Sequence, residues 1–279
     1  MSSEPITQPV CARHPDRVTY VLCHRCGRGI CTECMIPSPV GFQCPECVRV
    51  GQLSVRTVRT FAPRVTYGIM ILCLAIQVLG MLGLGTASGW VQELSLFPAR
   101  IAVFGEYYRM ITAVFVHAGW FHIGMNMLML WVMGKTLEEA LGAVRFATLF
   151  ILAGLGGSLA SYWLNDPLTV GIGASGAIFG LFAAMFILGR ELRANTQEII
   201  TVIGLNLVIG FVVPGIDWRA HVGGLVTGAV VGWMLMPRRP RAVQVLGPVA
   251  LLVVLGLLTQ LRTDELVTAL MQTANVVHS

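Results

Sequence analysis

Residues 171–189 read GIGASGAIFGLFAAMFILG: a cluster of small residues, Gly171-Ile172-Gly173-Ala174-Ser175-Gly176, leads straight into an apolar run. Small residues in such a place usually let membrane helices approach closely. Two other apolar segments give the cluster a second meaning. One carries His117, His122 and Asn126; the other carries Ala220-His221-Val222-Gly223-Gly224, with Gly228 and Gly232 beyond. A serine, a histidine and two candidate oxyanion donors on three separate membrane helices require a chemical explanation.

Composition places most of the chain in lipid. Of 279 residues, 55% are hydrophobic and 12% charged, and the mean hydropathy is +0.74. An ordinary soluble domain is about 25% charged. The net charge of +5 is small, and the arginines flank apolar segments. That distribution fits orientation in a membrane rather than nucleic-acid binding.

Apolar segments near 66–85, 117–134, 146–164, 171–189, 198–213, 219–236 and 244–261 are each about long enough to span a bilayer. Between them lie charged or turn-forming boundaries such as Asn165-Asp166-Pro167, Pro214-Gly215 and Pro237-Arg238-Arg239-Pro240-Arg241. The chain lacks a basic-then-apolar opening, so no cleavable signal is expected and the N-terminus belongs in the cytosol. The inside loops then hold Lys135, Arg145, Arg190, Arg193, Arg238, Arg239 and Arg241. The outside connections hold Arg219, with Arg100 and Arg109 in the long first loop. This bias follows the positive-inside rule, and seven spans put the C-terminus outside. The first outside loop, 86–116, is too apolar to be solvated (Trp90, Leu94, Leu96, Phe97, Ile101, Val103, Phe104) and is expected to lie against or dip into the outer leaflet.

Seven of eight cysteines crowd between Cys11 and Cys47, in the pattern Cys11-x-x-His14, Cys23-x-x-Cys26, Cys31-x-x-Cys34 and Cys44-x-x-Cys47. Four pairs give eight ligands, enough for two tetrahedral zinc ions. So short a stretch buries little core, so metal would supply most of its folding free energy. A disulfide knot fits poorly: seven is odd, His14 completes the set, and the cytosol is reducing. Eight ligands for two ions leave no open position, so this zinc is structural. The pattern resembles a B-box-type zinc finger over about 11–47. That resemblance implies interleaved sites, Cys11, His14, Cys31 and Cys34 on one ion and Cys23, Cys26, Cys44 and Cys47 on the other; the spacing alone also allows sequential pairing. His24 reads as a surface residue.

Topology brings the remaining chemistry together. The second, fourth and sixth segments run the same way, and His122, Ser175 and His221 all sit within about 8 Å of the outer helix ends at 1.5 Å per residue. Gly224, Gly228 and Gly232 form one face of the sixth segment, and Gly173, Gly176 and Gly180 thin the fourth. A serine needs a base to take its proton, and histidine suits that task. Asn126, one turn after His122, shares its helical face, and both can donate hydrogen bonds. A backbone N–H near Ser175 adds a donor at a helix N-terminus. Ionisable residues inside membrane helices are functional candidates by default.

The segment Tyr108-Arg109…Thr112…Phe115-Val116-His117-Ala118-Gly119-Trp120-Phe121-His122…Asn126, then GASG at 173–176, then AHVGG at 220–224, resembles the rhomboid family of intramembrane serine proteases over about 65–240. The resemblance implies Ser175 as nucleophile and His221 as general base, a dyad without an acidic member. It implies His122, Asn126 and the Ser175 N–H as the oxyanion site, and His117 as a supporting histidine. Asp217, four residues before His221, is not expected to act as a third member. Tyr108-Arg109 departs from the family's frequent Trp-Arg pair. The segment after 243 is similar to the extra seventh helix of some members.

The expected organisation is a loose tail (1–10), a zinc module (11–47), a basic linker (48–64, with Arg49, Arg56, Arg59 and Arg64), a protease core (65–240), an additional helix (241–262) and a tail (263–279). The expected fold is an all-α polytopic membrane protein with a small zinc-bound domain. Its partners would be transmembrane protein substrates, lipid and a cytosolic protein docking on the zinc module, with no nucleic acid; catalysis would need no cofactor. A bacterial inner membrane is the expected home. The rival reading is a non-catalytic rhomboid-like binder or chaperone of membrane proteins, a class usually marked by loss of the serine or histidine. A transporter would call for internal repeats or paired midplane charges, and the sequence offers neither.

Overall fold

The computed structural model describes residues 9–38, 41–53, 61–84 and 89–277. Residues 1–8 of the expected tail, Arg56 and Arg59 of the linker, and residues 278–279 lie outside the described residues. The chain divides into two compact units, Met1–Thr60 and Phe61–Ser279.

The first unit has little regular structure. A hairpin pairs β1 (Ile36–Ser38) with β2 (Gly41–Gln43), and helix α1 covers Pro45–Leu53. Its buried cluster consists of six cysteines and Ile30, with Met35 packed against it. Cysteine is among the most buried residue types, but here it is nearly the whole core. One aliphatic side chain does not offset the ordering entropy of so many residues.

The second unit is a bundle of helices. Seven are long: α2 (Arg64–Met81), α6 (Trp120–Leu141), α7 (Ala143–Leu164), α8 (Ser175–Glu191), α9 (Gln197–Val212), α10 (Trp218–Leu235) and α11 (Arg241–Val277). They match the seven apolar segments and make this an all-α polytopic membrane protein. Three of them, α2, α7 and α11, are by themselves long and apolar enough to cross a bilayer. α6 qualifies together with the bent stretch Arg109–Phe115 before it, and α8 is short for a local reason. α8 starts at Ser175, because the chain before it is broken at Gly173, which holds φ +117°, and turns into the helix at Ala174. With 17 residues, α8 reaches about 26 Å.

The connection between α2 and α6 is built from three short helices, α3 (Trp90–Leu94), α4 (Pro98–Phe104) and α5 (Arg109–Thr112). The stretch Arg109–Phe115 meets α6 at 93°. Arg109 has no exposed side-chain surface. Its Nη1 donates to the Gln92 and Ser95 carbonyls at 2.8 and 3.0 Å, and its Nε donates to Glu106, which also takes two bonds from Arg100. Arg100 first, then Arg109, hold the Glu106 carboxyl down to about 2. The arginine of the Tyr108-Arg109 pair thus ties the loop together, whatever the aromatic before it.

Helices α7, α8 and α10 form the tight centre. A Cβ placed on Gly224 would overlap the Gly176 carbonyl, and one on Gly228 would overlap Gly180. Gly157 of α7 faces Gly176 and the Ala220 carbonyl in the same way. The small-residue rows are therefore seams at which three backbones touch.

Helix α11 runs on past the expected boundary at 262. It continues to Val277, so residues 263–277 are helical. Two anchors on α7 carry it past the apolar stretch: the Tyr162 hydroxyl bonds to Thr263 Oγ1 at 2.9 Å, and Trp163 Nε1 donates to the Leu258 carbonyl. Arg262 and Glu265 add a pair one turn apart.

Candidate active site

Three helix starts converge. His122 is the third residue of α6, Ser175 the first of α8 and His221 the fourth of α10. The glycine seam sets α8 against α10 closely enough for short side chains to meet. His221 Nε2 stands 2.9 Å from Ser175 Oγ. His221 is buried, and the Phe179 ring stacks on it at 4.2 Å with only 13° between the planes. Its Nδ1 is buried and lacks a hydrogen-bond partner.

Asp217 is not that partner. It caps α10: Oδ1 accepts from the Arg219 and Ala220 N–H groups, and Oδ2 accepts from Ser161 Oγ and Asn165 Nδ2. Both of its oxygens are engaged in these contacts.

The histidines of α6 and its approach flank the serine. A Cβ on Gly173 would lie 2.7 Å from His122 Nε2 and 3.9 Å from Ser175 Oγ. Glycine there supplies both the left-handed conformation and room for the imidazole. His117 is buried, meets His122 edge-on at 5.0 Å, and its Nε2 accepts from the Ala174 N–H at 3.5 Å. Asn126 is buried, yet its Nδ2 donates to the His122 carbonyl at 2.8 Å. One of its two N–H bonds is thus turned to its own helix, leaving the other for a ligand. As the first helical residue, Ser175 has a backbone N–H with no intrahelical acceptor.

Several supports were missed in the sequence. The Gly171 and Leu96 backbones bond reciprocally at 2.9 Å, and the Gly173 N–H donates to the Ala113 carbonyl. The first loop therefore holds the GIGASG stretch in place. A Cβ on Gly210 of α9 would come within 3.3 Å of His221 Nδ1. Phe179 was the most findable of these, since it lies one turn after Ser175 on the same helical face.

With this geometry established, comparison with known proteins is informative. The Rhomboid domain model matches residues 104–238, which contain His117, His122, Asn126, Ser175 and His221. RHOMBOID-like protein 5 of Arabidopsis thaliana is 35% identical over 187 residues, covering 60% of this chain and 59% of its own length. Rhomboid protease GluP of Bacillus subtilis (strain 168) is 33% identical over 171 residues, 58% of this chain and 33% of its own. YdcA of the same organism, named for the same family, is 32% identical over 143 residues, 49% of this chain and 71% of its own. The chain belongs to the rhomboid family. This rhomboid spans less than two thirds of the Arabidopsis protein and of GluP. It is an integral, multi-pass membrane protein of an intramembrane protease family.

The first unit holds a different cluster. Cys11, His14, Cys31 and Cys34 form one group and Cys23, Cys26, Cys44 and Cys47 another, with the ligand atoms in each within 4.8 Å of one another. The interleaved grouping is the one present, and sequential pairing is not. His24 is exposed. Donor chemistry and compactness both fit a zinc ion in each group. Arg28 Nε donates to Cys26 Sγ at 3.3 Å and its Nη2 to Cys44 Sγ at 3.7 Å. That guanidinium holds the Cys26 thiol below its usual range, which favours the ligating thiolate.

Proposed function

We propose that this rhomboid is an intramembrane serine endopeptidase that cuts transmembrane segments of other proteins near their outer ends. The single observation that carries the reading is the 2.9 Å approach of His221 Nε2 to Ser175 Oγ at the first residue of α8.

On this reading the neutral imidazole carries its proton on Nδ1 and accepts from the hydroxyl at Nε2. As Oγ bonds to the scissile carbonyl carbon, its proton passes to Nε2. The developing oxyanion is met by the Ser175 N–H, His122 and the uncommitted N–H of Asn126, while His117 supports His122. Collapse breaks the C–N bond, and His221 returns the proton to the amine. Water, activated by the same base, then hydrolyses the acyl-enzyme. Phe179 stacked on the ring keeps it oriented without an acid.

The first unit, on the same reading, is a B-box-like module with two structural zinc ions. It lies on the cytosolic side and docks a protein partner. The positive-inside bias supports an inside N-terminus and an outside site, in a bacterial inner membrane.

The test is cleavage of a single-span substrate in proteoliposomes by wild type, Ser175→Ala and His221→Ala. Loss of product in both variants, with unfolding midpoints unchanged, is expected. A serine-reactive fluorophosphonate should label wild type and not His221→Ala. Neither cleavage nor labelling of the folded wild type would overturn the protease reading in favour of a membrane-protein binder.

A further inference from the structure

On the flank of the helical unit, a crevice of about 330 Å³ opens between the first loop and α11. It is lined by Met110, Leu155, Leu252, Leu255 and Gly256. A Cβ added at Gly256 would meet nothing within 4 Å, so the space is real at the backbone of α11. Polar groups gather at one end only: Thr259, and the Tyr107 hydroxyl donating to Gln260 Oε1 at 3.0 Å.

Position along α11 identifies what surrounds the crevice. The helix starts at Arg241 beside the Arg238–Arg241 cluster, and about 20 residues at 1.5 Å each cross the hydrocarbon. Leu252, Leu255 and Gly256 then lie about 16–23 Å along that path, in the leaflet remote from the arginines. Tyr107 and Gln260 fall near its polar boundary. The flanking α11 residues Leu252, Val253 and Leu257 are exposed apolar side chains. Water would find partners only at the polar end and none along the walls.

We propose that this crevice holds one acyl chain of a phospholipid from the leaflet remote from the Arg238–Arg241 cluster, with the ester region at the Tyr107–Gln260 pair. The chain would fill the gap between α11 and the stretch Tyr107–Met110. That stretch leads directly to Ala113, whose carbonyl accepts the Gly173 N–H. Lipid in the crevice therefore braces the loop that holds GIGASG, and α11 with its helical extension forms the second wall of a lipid site.

The experiment reads binding, not cleavage, so it stands apart from the proposed chemistry. The full chain is placed in phosphatidylglycerol vesicles containing a phospholipid with a diazirine on one acyl chain, irradiated, and mapped by peptide mass spectrometry. Labelling should concentrate on residues 252–260 and 107–110 and fall severalfold in Gly256→Leu. In detergent, added phosphatidylglycerol should raise the unfolding midpoint of wild type by roughly 2–4 °C, the size expected a few-fold above the dissociation constant. It should not raise that of Gly256→Leu. If that variant does not fold, Leu155→Phe fills the crevice from the opposite wall. Labelling spread evenly over the exposed faces of α2 and α11, and unaltered by the filling variants, would overturn the proposal.

Discussion

In the N-terminal unit the buried core is six cysteines around Ile30, whereas in the helical unit the closest seam joins glycines that have no side chain at all. One unit is held by what its side chains can ligate, the other by how near its backbones can come. On the proposed reading the first needs a metal ion from solution. The second needs only the absence of atoms. The side chains follow the same division: two Cys/His groups that could each close around a metal ion, against a serine and histidine 2.9 Å apart.

Metal removal should break this comparison most visibly. A strong zinc chelator is expected to unfold the N-terminal unit, since the apparent binding free energy of a structural zinc, about 10–16 kcal/mol, is its folding free energy. The helical unit should keep its far-UV helical signal and, on the proposed reading, its cleavage of a reconstituted substrate. Joint loss of both would mean that the units share their stability. The reciprocal break is Gly228→Leu. The atoms it would strike are the backbone of Gly180, which cannot swing aside, so a cost of about 3 kcal/mol or more is expected. Thermal unfolding should drop sharply while two zinc ions per chain persist by atomic emission.

Asn126→Ala sharpens the comparison within the helical unit. If its free N–H meets the oxyanion, turnover should fall about 10²–10³-fold with little change in substrate binding, because the donor acts mainly in the transition state. A fall in stability with unchanged turnover would assign Asn126 to the His122 carbonyl alone.

What was legible in the sequence differs between the units for the same physical reason. Two-residue gaps between cysteines oblige both side chains to turn toward one point, so the ligand set was visible, although interleaving depended on resemblance. The approach of His221 to Ser175 was legible because helices running one way bring residues of equal depth together. What was hidden is tertiary. Nothing local marks Thr263 as the partner of Tyr162, so α11 was expected to end at 262. Nor does spacing say that Asn126 turns an N–H back to its own helix, that Gly171 pairs with Leu96, or that Ser175 stands at the first residue of α8 and not a turn inside it. Apart from the Asn126 bond, which stays within α6, each depends on an element far away in the chain.

The finest difference lies between the two metal groups themselves. A zinc ion with three thiolates and a histidine carries a net charge of −1, and one with four thiolates carries −2. Both have an arginine nearby: Arg17 Nη1 reaches Cys31 Sγ at 4.0 Å but pairs closely with Glu33 at 2.7 Å. Arg28 spreads two donors over Cys26 and Cys44 and keeps Glu46 at 3.7 Å. The guanidinium is therefore committed to sulfur at the more negative group and to a carboxylate at the other. Outer-sphere partners of this kind are typically worth 10–100-fold in metal affinity. Arg28→Ala is expected to weaken the four-cysteine group by about that factor, and Arg17→Ala to weaken the histidine-containing group less. Competition with a chromophoric chelator, following the release of each ion in turn, measures both. Equal losses, or a larger one in Arg17→Ala, would show that net charge at the group does not set the dependence, and that packing of the arginine stems does.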